Sequence, residues 1–327
     1  MQGLLSLLAF LPFIALVLIA NLGERYPWAR YTTYAILILA DLALLGGSAL
    51  LLLAAAMQAL SPETASAAGL NVNLWGLAGV LFGTGLLAAL PLIPAVRRGL
   101  ARFLPIEPTS LVHMTALAFA VYEVSLTLAQ MALIGGLSNL AGAVESLTVW
   151  DVLLSGLPLL LLALAGVGLF VRRGVAQTME RLGLRLPNPK HLLLAVGLIA
   201  LLLAFDFGVN WAWEALDPVG YQSLTEVTDR LFGGLMSVGG AIVLGLSAGI
   251  SEELLFRGAL QPRLGLVLSS VLFAVGHLQY GFSAAMLEVL VIGLVLGLVR
   301  RRTNTTTAIL IHAGYNTAGV LLGLLKP

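Results

Sequence analysis

The first apolar run of the chain, Leu4 to Leu22, reads LLSLLAFLPFIALVLIANL. A run of about 20 apolar residues is long enough for a helix to cross a hydrocarbon core of roughly 30 Å. Similar runs follow one another along the 327 residues, of which 59% are hydrophobic and only 10% charged. Because so few charges cannot cover the surface of a water-soluble fold, the sequence predicts an all-α fold, a polytopic bundle of membrane helices.

About ten transmembrane helices are expected between the charged or Pro- and Gly-rich breaks. Their approximate bounds are 3–22, 33–57, 74–96, 110–135, 151–171, 191–210, 233–252, 264–279, 284–299 and 306–325. Cytoplasmic loops of membrane proteins carry an excess of Lys and Arg. Connections rich in Lys and Arg lie at 25–30, 97–102, 172–190 and 300–302. They alternate with connections that carry few or no basic residues. This alternation predicts ten spans with both termini on the non-cytoplasmic face, although a re-entrant arrangement of the short eighth and ninth spans also fits.

Composition also excludes several classes of function. A net charge of +1 provides no basic face for nucleic acid, so no nucleic-acid partner is expected. The absence of cysteine excludes disulfides, thiolate metal sites and a cysteine nucleophile. The first apolar run has no basic segment before it and no clear cleavage site, so we expect a retained helix rather than a signal peptide. The expected location is therefore a bilayer, as a multi-pass integral protein, in the cell membrane if the host is prokaryotic.

The longest basic connection, 172–190, contains two prolines and separates five predicted spans from five. It divides the chain into an N-terminal membrane helical region, 1–190, of unknown role and a C-terminal region, 191–327. The residue types that carry chemistry at membrane depth are concentrated in the second region.

The strongest polar cluster in an apolar context is the stretch 251–257, SEELLFR. Charged groups inside a membrane cost about 2.5–3.5 kcal/mol each on insertion scales, so they usually face a cavity or a partner. On a helix Glu253 and Arg257 lie four apart, which is the favourable spacing for an ion pair. Glu252 points about 100° away from Glu253 around the helix axis, so it is free to interact with another group. In isolation, the pattern also fits an ordinary ion pair at a helix end.

Two histidines lie in later apolar runs. His277 follows Gly276, and His312 precedes Ala313 and lies four residues before Asn316, on the same helix face. Small neighbours allow close helix approach. A lone membrane histidine is usually structural, but two of them, with an asparagine one turn away and an unpaired carboxylate, favour a functional site.

The three patterns Glu-Glu-x-x-x-Arg, Phe-x-x-x-His and His-x-x-x-Asn, in this order on separate helices, resemble the CPBP intramembrane proteases. This family is also called the CAAX protease or Abi family and includes the Rce1-type prenyl-protein endopeptidases. The stretch 293–304 is similar to the family's link into the third motif. The resemblance covers about 195–325, and it implies a peptidase domain at 191–327 whose helices form a catalytic bundle.

The resemblance also implies roles for the motif residues. Glu252 would be the general base that activates water, with His277 assisting it. His312 and Asn316 would hold the oxyanion or, if present, a metal, and Glu253 with Arg257 would orient the helix. The implied reaction is cleavage of a peptide bond in a membrane-associated or lipid-anchored protein or peptide, by a metallo- or glutamic-type endopeptidase.

A zinc ion is an open alternative for activating the water. Glu252, His277 and His312 could form a catalytic zinc site with an open position. Asn316 is a poor zinc ligand, and the His-Glu-x-x-His signature of soluble metalloproteases is absent. We therefore expect that no cofactor is required and keep zinc as the second hypothesis.

A non-catalytic scaffold or a proton-coupled transporter could use the same polar cluster. Related halves or matching broken helices would indicate a transporter, and the sequence shows neither. The remaining membrane groups occur singly, and most are expected to be hydrogen-bonded or interfacial: Asp41, His113, Glu123, Asp206 and Glu288. Of these, Glu288 is expected to border the site, since its helix lies between the second and third motifs.

Overall fold

The computed structural model describes residues 2–60, 73–134, 139–140, 142 and 144–325, and all regular secondary structure in them is helical. The α-helices are α1 Gln2–Gly23, α2 Pro27–Leu60, α3 Leu74–Ala89, α4 Pro94–Leu100, α5 Leu111–Ile134, α6 Val149–Val167, α7 Val175–Leu182, α8 Pro189–Leu216, α9 Pro218–Phe232, α10 Val238–Glu253, α11 Gln261–Val275, α12 Ala284–Arg302 and α13 Thr305–Gly323. A helix lies on each of the ten predicted spans, which confirms the all-α fold.

Seven helical segments in the described residues are long and apolar enough to cross a membrane. One of them runs from Val238 to Val275 and so covers both the seventh and the eighth predicted spans. The helices α12 and α13 are not among the seven. Their composition explains this, because α12 carries Glu288 and ends in three arginines, and α13 carries His312 and Asn316 besides the three threonines at its start.

The break predicted between the seventh and eighth spans is itself mostly helical. A π-helical segment, Leu254–Leu260, continues α10 directly after the two glutamates. The chain then kinks at Gly265, where φ is 81° and ψ is 172°. This left-handed φ favours glycine, and the kink lets His277 return to the side of Glu252. Segments of π-helix occur frequently at functional sites.

Small residues bring α10 and α13 into close contact. A Cβ added at Gly249 would lie 2.8 Å from the backbone nitrogen of Ala313. Gly245, one turn earlier, also faces the backbone of Ala313. Small residues four apart let two membrane helices approach closely. The result is that His312, next to Ala313, lies within hydrogen-bonding distance of Glu253 at the end of α10.

Helices of the N-terminal region pack directly on the C-terminal region. The Ser247 hydroxyl of α10 donates to the Val152 carbonyl of α6 at 3.0 Å. The Thr127 hydroxyl of α5 donates to the Val275 carbonyl at the end of α11 at 3.1 Å. The division near residue 190 stays a prediction, but α5 and α6 contribute to the surroundings of α10 and α11.

Candidate active site

Glu253 lies at the centre of a buried charged group. Its Oε1 accepts a hydrogen bond from His312 Nδ1 at 2.9 Å, and its Oε2 is 3.3 Å from Arg257 Nε. The side chains of Glu253 and Arg257 are fully buried, and that of His312 is 5% exposed. A buried carboxylate needs such partners, since removing one would leave an uncompensated charge. The sequence predicted the pair with Arg257 but not the bond to His312.

Phe273, the first residue of the second motif, contacts all three motifs. The Arg257 guanidinium carbon lies 4.2 Å from its ring centroid, in cation–π contact. The ring centroids of His277 and His312 lie 4.8 Å and 5.7 Å from the Phe273 ring centroid. The Arg257 Nη2 also donates to the Gly293 carbonyl of α12 at 3.1 Å. No role was predicted for Phe273 from the sequence, although its place four residues before His277 was the available signal.

Glu252 faces away from this group, as its position on the helix predicted, and meets His277. Its Oε2 lies 3.8 Å from His277 Nε2, and both side chains are 18% exposed. The Nδ1 of His277 is 2.7 Å from the Phe273 carbonyl oxygen. A carbonyl only accepts, so Nδ1 carries a hydrogen and the neutral ring presents its Nε2 lone pair toward Glu252.

A cavity of about 1930 Å³ connects these residues. Glu252, His277, His312 and Asn316 line it. Glu253 and Arg257 lie behind its wall, with no exposed side-chain surface. The structure thus brings the six predicted site residues into one region, four on the wall and two supporting it.

Several of the residues that occur singly in the sequence also line this cavity, namely His113, Glu123, Asp206 and Glu288. The carboxyl groups of Asp206 and Glu288 lie close enough that one could donate to the other when it carries a proton, and the Asn210 amide donates to Asp206 Oδ1 at 3.0 Å. Asp41, by contrast, accepts a hydrogen bond from the Tyr122 hydroxyl at 2.7 Å.

Two further residues beside His277 were not predicted from the sequence. The ring of Tyr280 stacks on that of His277, with ring centroids 5.8 Å apart and an angle of 9° between the ring planes. The carboxylate of Glu123, from α5, lies next to Gly276, because a Cβ built there would be 3.5 Å from Glu123 Oε1. Tyr280 could have been suspected from its place three residues after His277. No local signal connects Glu123 to the site.

The zinc hypothesis requires three donors around one point. No group of three or more His, Asp or Glu side chains in the described residues is close enough to hold a metal. His312 directs Nδ1 to Glu253 rather than toward Glu252. Phe273 packs against the rings of both histidines. The set Glu252, His277 and His312 therefore does not form a zinc ligand group in this structure.

Comparison with known protein families finds a match over the segment that bears the site. Residues 234–318 match the family described as type II CAAX prenyl endopeptidase, Rce1-like. No curated protein and no solved structure matches the chain. The matched segment contains all three motifs, from Glu252 to Asn316, which confirms the resemblance read from them. The chain is a multi-pass integral membrane protein whose site-bearing segment, residues 234–318, is similar to the Rce1-like type II CAAX prenyl endopeptidases.

Proposed function

We propose that the protein is an intramembrane endopeptidase that hydrolyses a peptide bond of a membrane-associated or lipid-anchored protein or peptide. The observation that carries the proposal is the pair Glu252 and His277 on the cavity wall. Their facing atoms, Oε2 and Nε2, are 3.8 Å apart. This is too long for a direct hydrogen bond, but one water molecule can bridge two such acceptors.

In this mechanism Glu252 is the general base. It takes one proton of the water while the water oxygen bonds to the carbonyl carbon of the substrate, and His277 accepts a hydrogen bond from the same water. The C–N bond then breaks, and the proton held by Glu252 passes to the leaving amine. Water supplies all the atoms added to the two products.

The oxyanion formed in the first step needs donors on the same wall. Asn316 can donate through its side-chain amide. His312 can donate through Nε2 in its protonated form, with Nδ1–H held by Glu253. In this proposal Glu253 and Arg257 are positioning residues, since neither reaches the cavity: Glu253 holds the ring of His312, and Arg257 holds Glu253.

A comparison of membrane peptides in the native host tests the proposal and identifies the substrate. Cells expressing wild type, Glu252→Gln or Glu214→Gln at matched levels are searched for new peptide termini. Glu214 is an exposed residue of α8 and provides the same carboxyl-to-amide change outside the cavity. Termini present with wild type and Glu214→Gln but absent with Glu252→Gln are expected. Identical termini in all three strains would contradict the proposal.

A proton-coupled transporter remains a second candidate because of one observation. The carboxyl groups of Asp206 and Glu288 lie close together on the wall of the same cavity, and paired carboxyls inside membranes mark proton pathways. In sealed vesicles a transporter would move protons with its solute, and Glu288→Gln would abolish that movement. Proton flux without any peptide cleavage would favour this candidate over the peptidase.

A further inference from the structure

A second polar cluster lines the same cavity, away from the catalytic pair. We call it the arginine cluster: Arg172, Arg173, Arg181 and Arg263, with His113 beside them. Three of these arginines also line an adjoining cavity of about 480 Å³, together with Gln177 and Glu180. His113 lies ten residues before Glu123 on α5. At 1.5 Å per residue, this places the cluster about 15 Å along the helix from the carboxylate next to Gly276.

The cluster has more positive than negative charge. Arg172, Arg181 and Arg263 all act electrostatically on His113, with Glu24 as the only acid among the groups that do so. Glu24 Oε1 is 3.9 Å from Arg172 Nη1. Burial and the neighbouring arginines lower the pKa of Arg181 to about 10. Like charges converging in a partly buried space repel each other, and a bound anion would relieve that repulsion.

Some hydrogen-bond donors of this cluster are available to bind a ligand. The Nε of Arg172 is buried and has no hydrogen-bond partner in the described part of the chain. The Nδ1 of His113 accepts from the Glu107 backbone N–H at 2.9 Å, so the neutral ring carries its hydrogen on Nε2. Arg181, by contrast, is held by the protein, because it donates to the carbonyls of Gly258 and Ala259.

The surroundings of the cluster fit a membrane interface. Phe170, Val175 and Met179, close in sequence to the arginines, are 81%, 57% and 46% exposed. Arginines next to exposed apolar side chains are typical of the headgroup level of a bilayer. The rest of the cavity wall includes apolar residues such as Phe13 and Phe119, whose rings are 5.2 Å apart. An anionic head and an apolar tail would both find complementary surfaces.

We propose that the arginine cluster binds the phosphate headgroup of an anionic phospholipid, whose acyl chain lies along the apolar wall of the cavity. The bidentate geometry of arginine suits phosphate oxygens. Lipid binding at this cluster does not require peptidase activity.

The test measures lipid binding by the full-length protein in an uncharged detergent. Phosphatidylglycerol, phosphatidylcholine and inorganic phosphate are titrated separately, and the unfolding temperature is followed by tryptophan fluorescence. We expect saturable stabilisation by phosphatidylglycerol only. Arg172→Gln with Arg263→Gln should weaken its apparent affinity at least about tenfold, since a charge-assisted hydrogen bond contributes that much or more. Arg301→Gln with Arg302→Gln is the matched control, because both residues are exposed and line neither cavity.

Several results would overturn the proposal. They are equal stabilisation by both lipids, equal loss of affinity in the control pair, saturation by inorganic phosphate at the same concentration as lipid, and displacement of the lipid by a soluble peptide through its C-terminal carboxylate. The last would assign the cluster to a substrate peptide. If the variant with Arg172→Gln and Arg263→Gln does not fold, the lipid preference of the wild-type protein is measured at increasing salt. A preference for phosphatidylglycerol that comes from this cluster must fall with added salt. A preference insensitive to salt would also overturn it.

Discussion

At the scale of single residues, the two adjacent glutamates have opposite surroundings. Glu253 is fully buried and held by Arg257 and His312, whereas Glu252 reaches the cavity and faces His277. Successive residues of an α-helix are rotated by about 100° about its axis, and this rotation produces the difference. The two residues should therefore respond differently to the same chemical change.

Replacing Glu252 with Gln is expected to lower the cleavage rate by roughly 10²–10⁴-fold, because the change removes the base but keeps a side chain of similar size. The unfolding temperature should stay at the wild-type value, since Glu252 is not part of the buried charged group. The rate is measured on a peptide found by the terminus comparison, at matched protein concentration. Near-full turnover by this variant would exclude Glu252 as the base.

Replacing Glu253 with Gln is expected to destabilise the protein by about 3–5 kcal/mol, because Arg257 would stay buried without its counter-charge. The free energy of unfolding is measured in mixed micelles by denaturant titration. Glu253→Gln combined with Arg257→Met should recover part of the loss, since the pair is then replaced by less polar groups. A Glu253→Gln protein as stable as wild type would show that the ion pair is not a major support of this site.

Metal dependence is also decided by a few residues. We predict that the purified protein keeps most of its activity in 1,10-phenanthroline and contains less than about one zinc per site, since a catalytic zinc needs three protein ligands around one point. Elemental analysis and the cleavage rate before and after chelation provide the measurement. Stoichiometric zinc, with activity lost on chelation and restored by added zinc, would make His277 and His312 ligands after all.

At the scale of helices, the contact between α10 and α13 sets the geometry of the site. The predicted consequence is tested by Gly249→Ala, whose added Cβ would lie 2.8 Å from Ala313 N. Moving α13 away would cost about 1–3 kcal/mol and would separate His312 from Glu253, so both stability and cleavage rate should fall. The free energy of unfolding and the rate are measured together.

Gly239→Ala is the control on the same helix, because a Cβ there would meet no atom within 4 Å. It should leave activity unchanged, and stability should be equal or higher by up to about 1 kcal/mol because alanine favours helix. If Gly249→Ala behaved like this control, close packing of α10 on α13 would not be what positions His312.

At the scale of the whole molecule, the cysteine-free chain allows a direct test of orientation. Gln222 on α9 and Gln177 on α7 are both exposed. Gln222 lies in the 211–232 connection, which carries one arginine and four acidic residues, and Gln177 lies in the strongly basic 172–190 connection. The positive-inside rule predicts that a membrane-impermeant maleimide labels Gln222→Cys in intact cells and Gln177→Cys only after permeabilisation. Labelling of both from the same side would contradict the predicted topology.

The sequence alone determined the helices and the spacings within them. Apolar runs of membrane length fix where helices form, because backbone groups in lipid must be satisfied internally. The separation of four residues in Glu253–Arg257 and in His312–Asn316 fixes which side chains share a face. Both are local properties, so they could be predicted without knowing how the helices pack.

Only the tertiary structure decided how these helices combine into a site. The bond between His312 and Glu253 joins residues 59 apart. Glu123 enters the cavity from a helix of the N-terminal region. The arginine cluster gathers side chains from the 172–181 segment and from the first turn of α11. Such contacts depend on the packing of glycine-lined helices and on the kink at Gly265, and no periodicity within one helix specifies its neighbours.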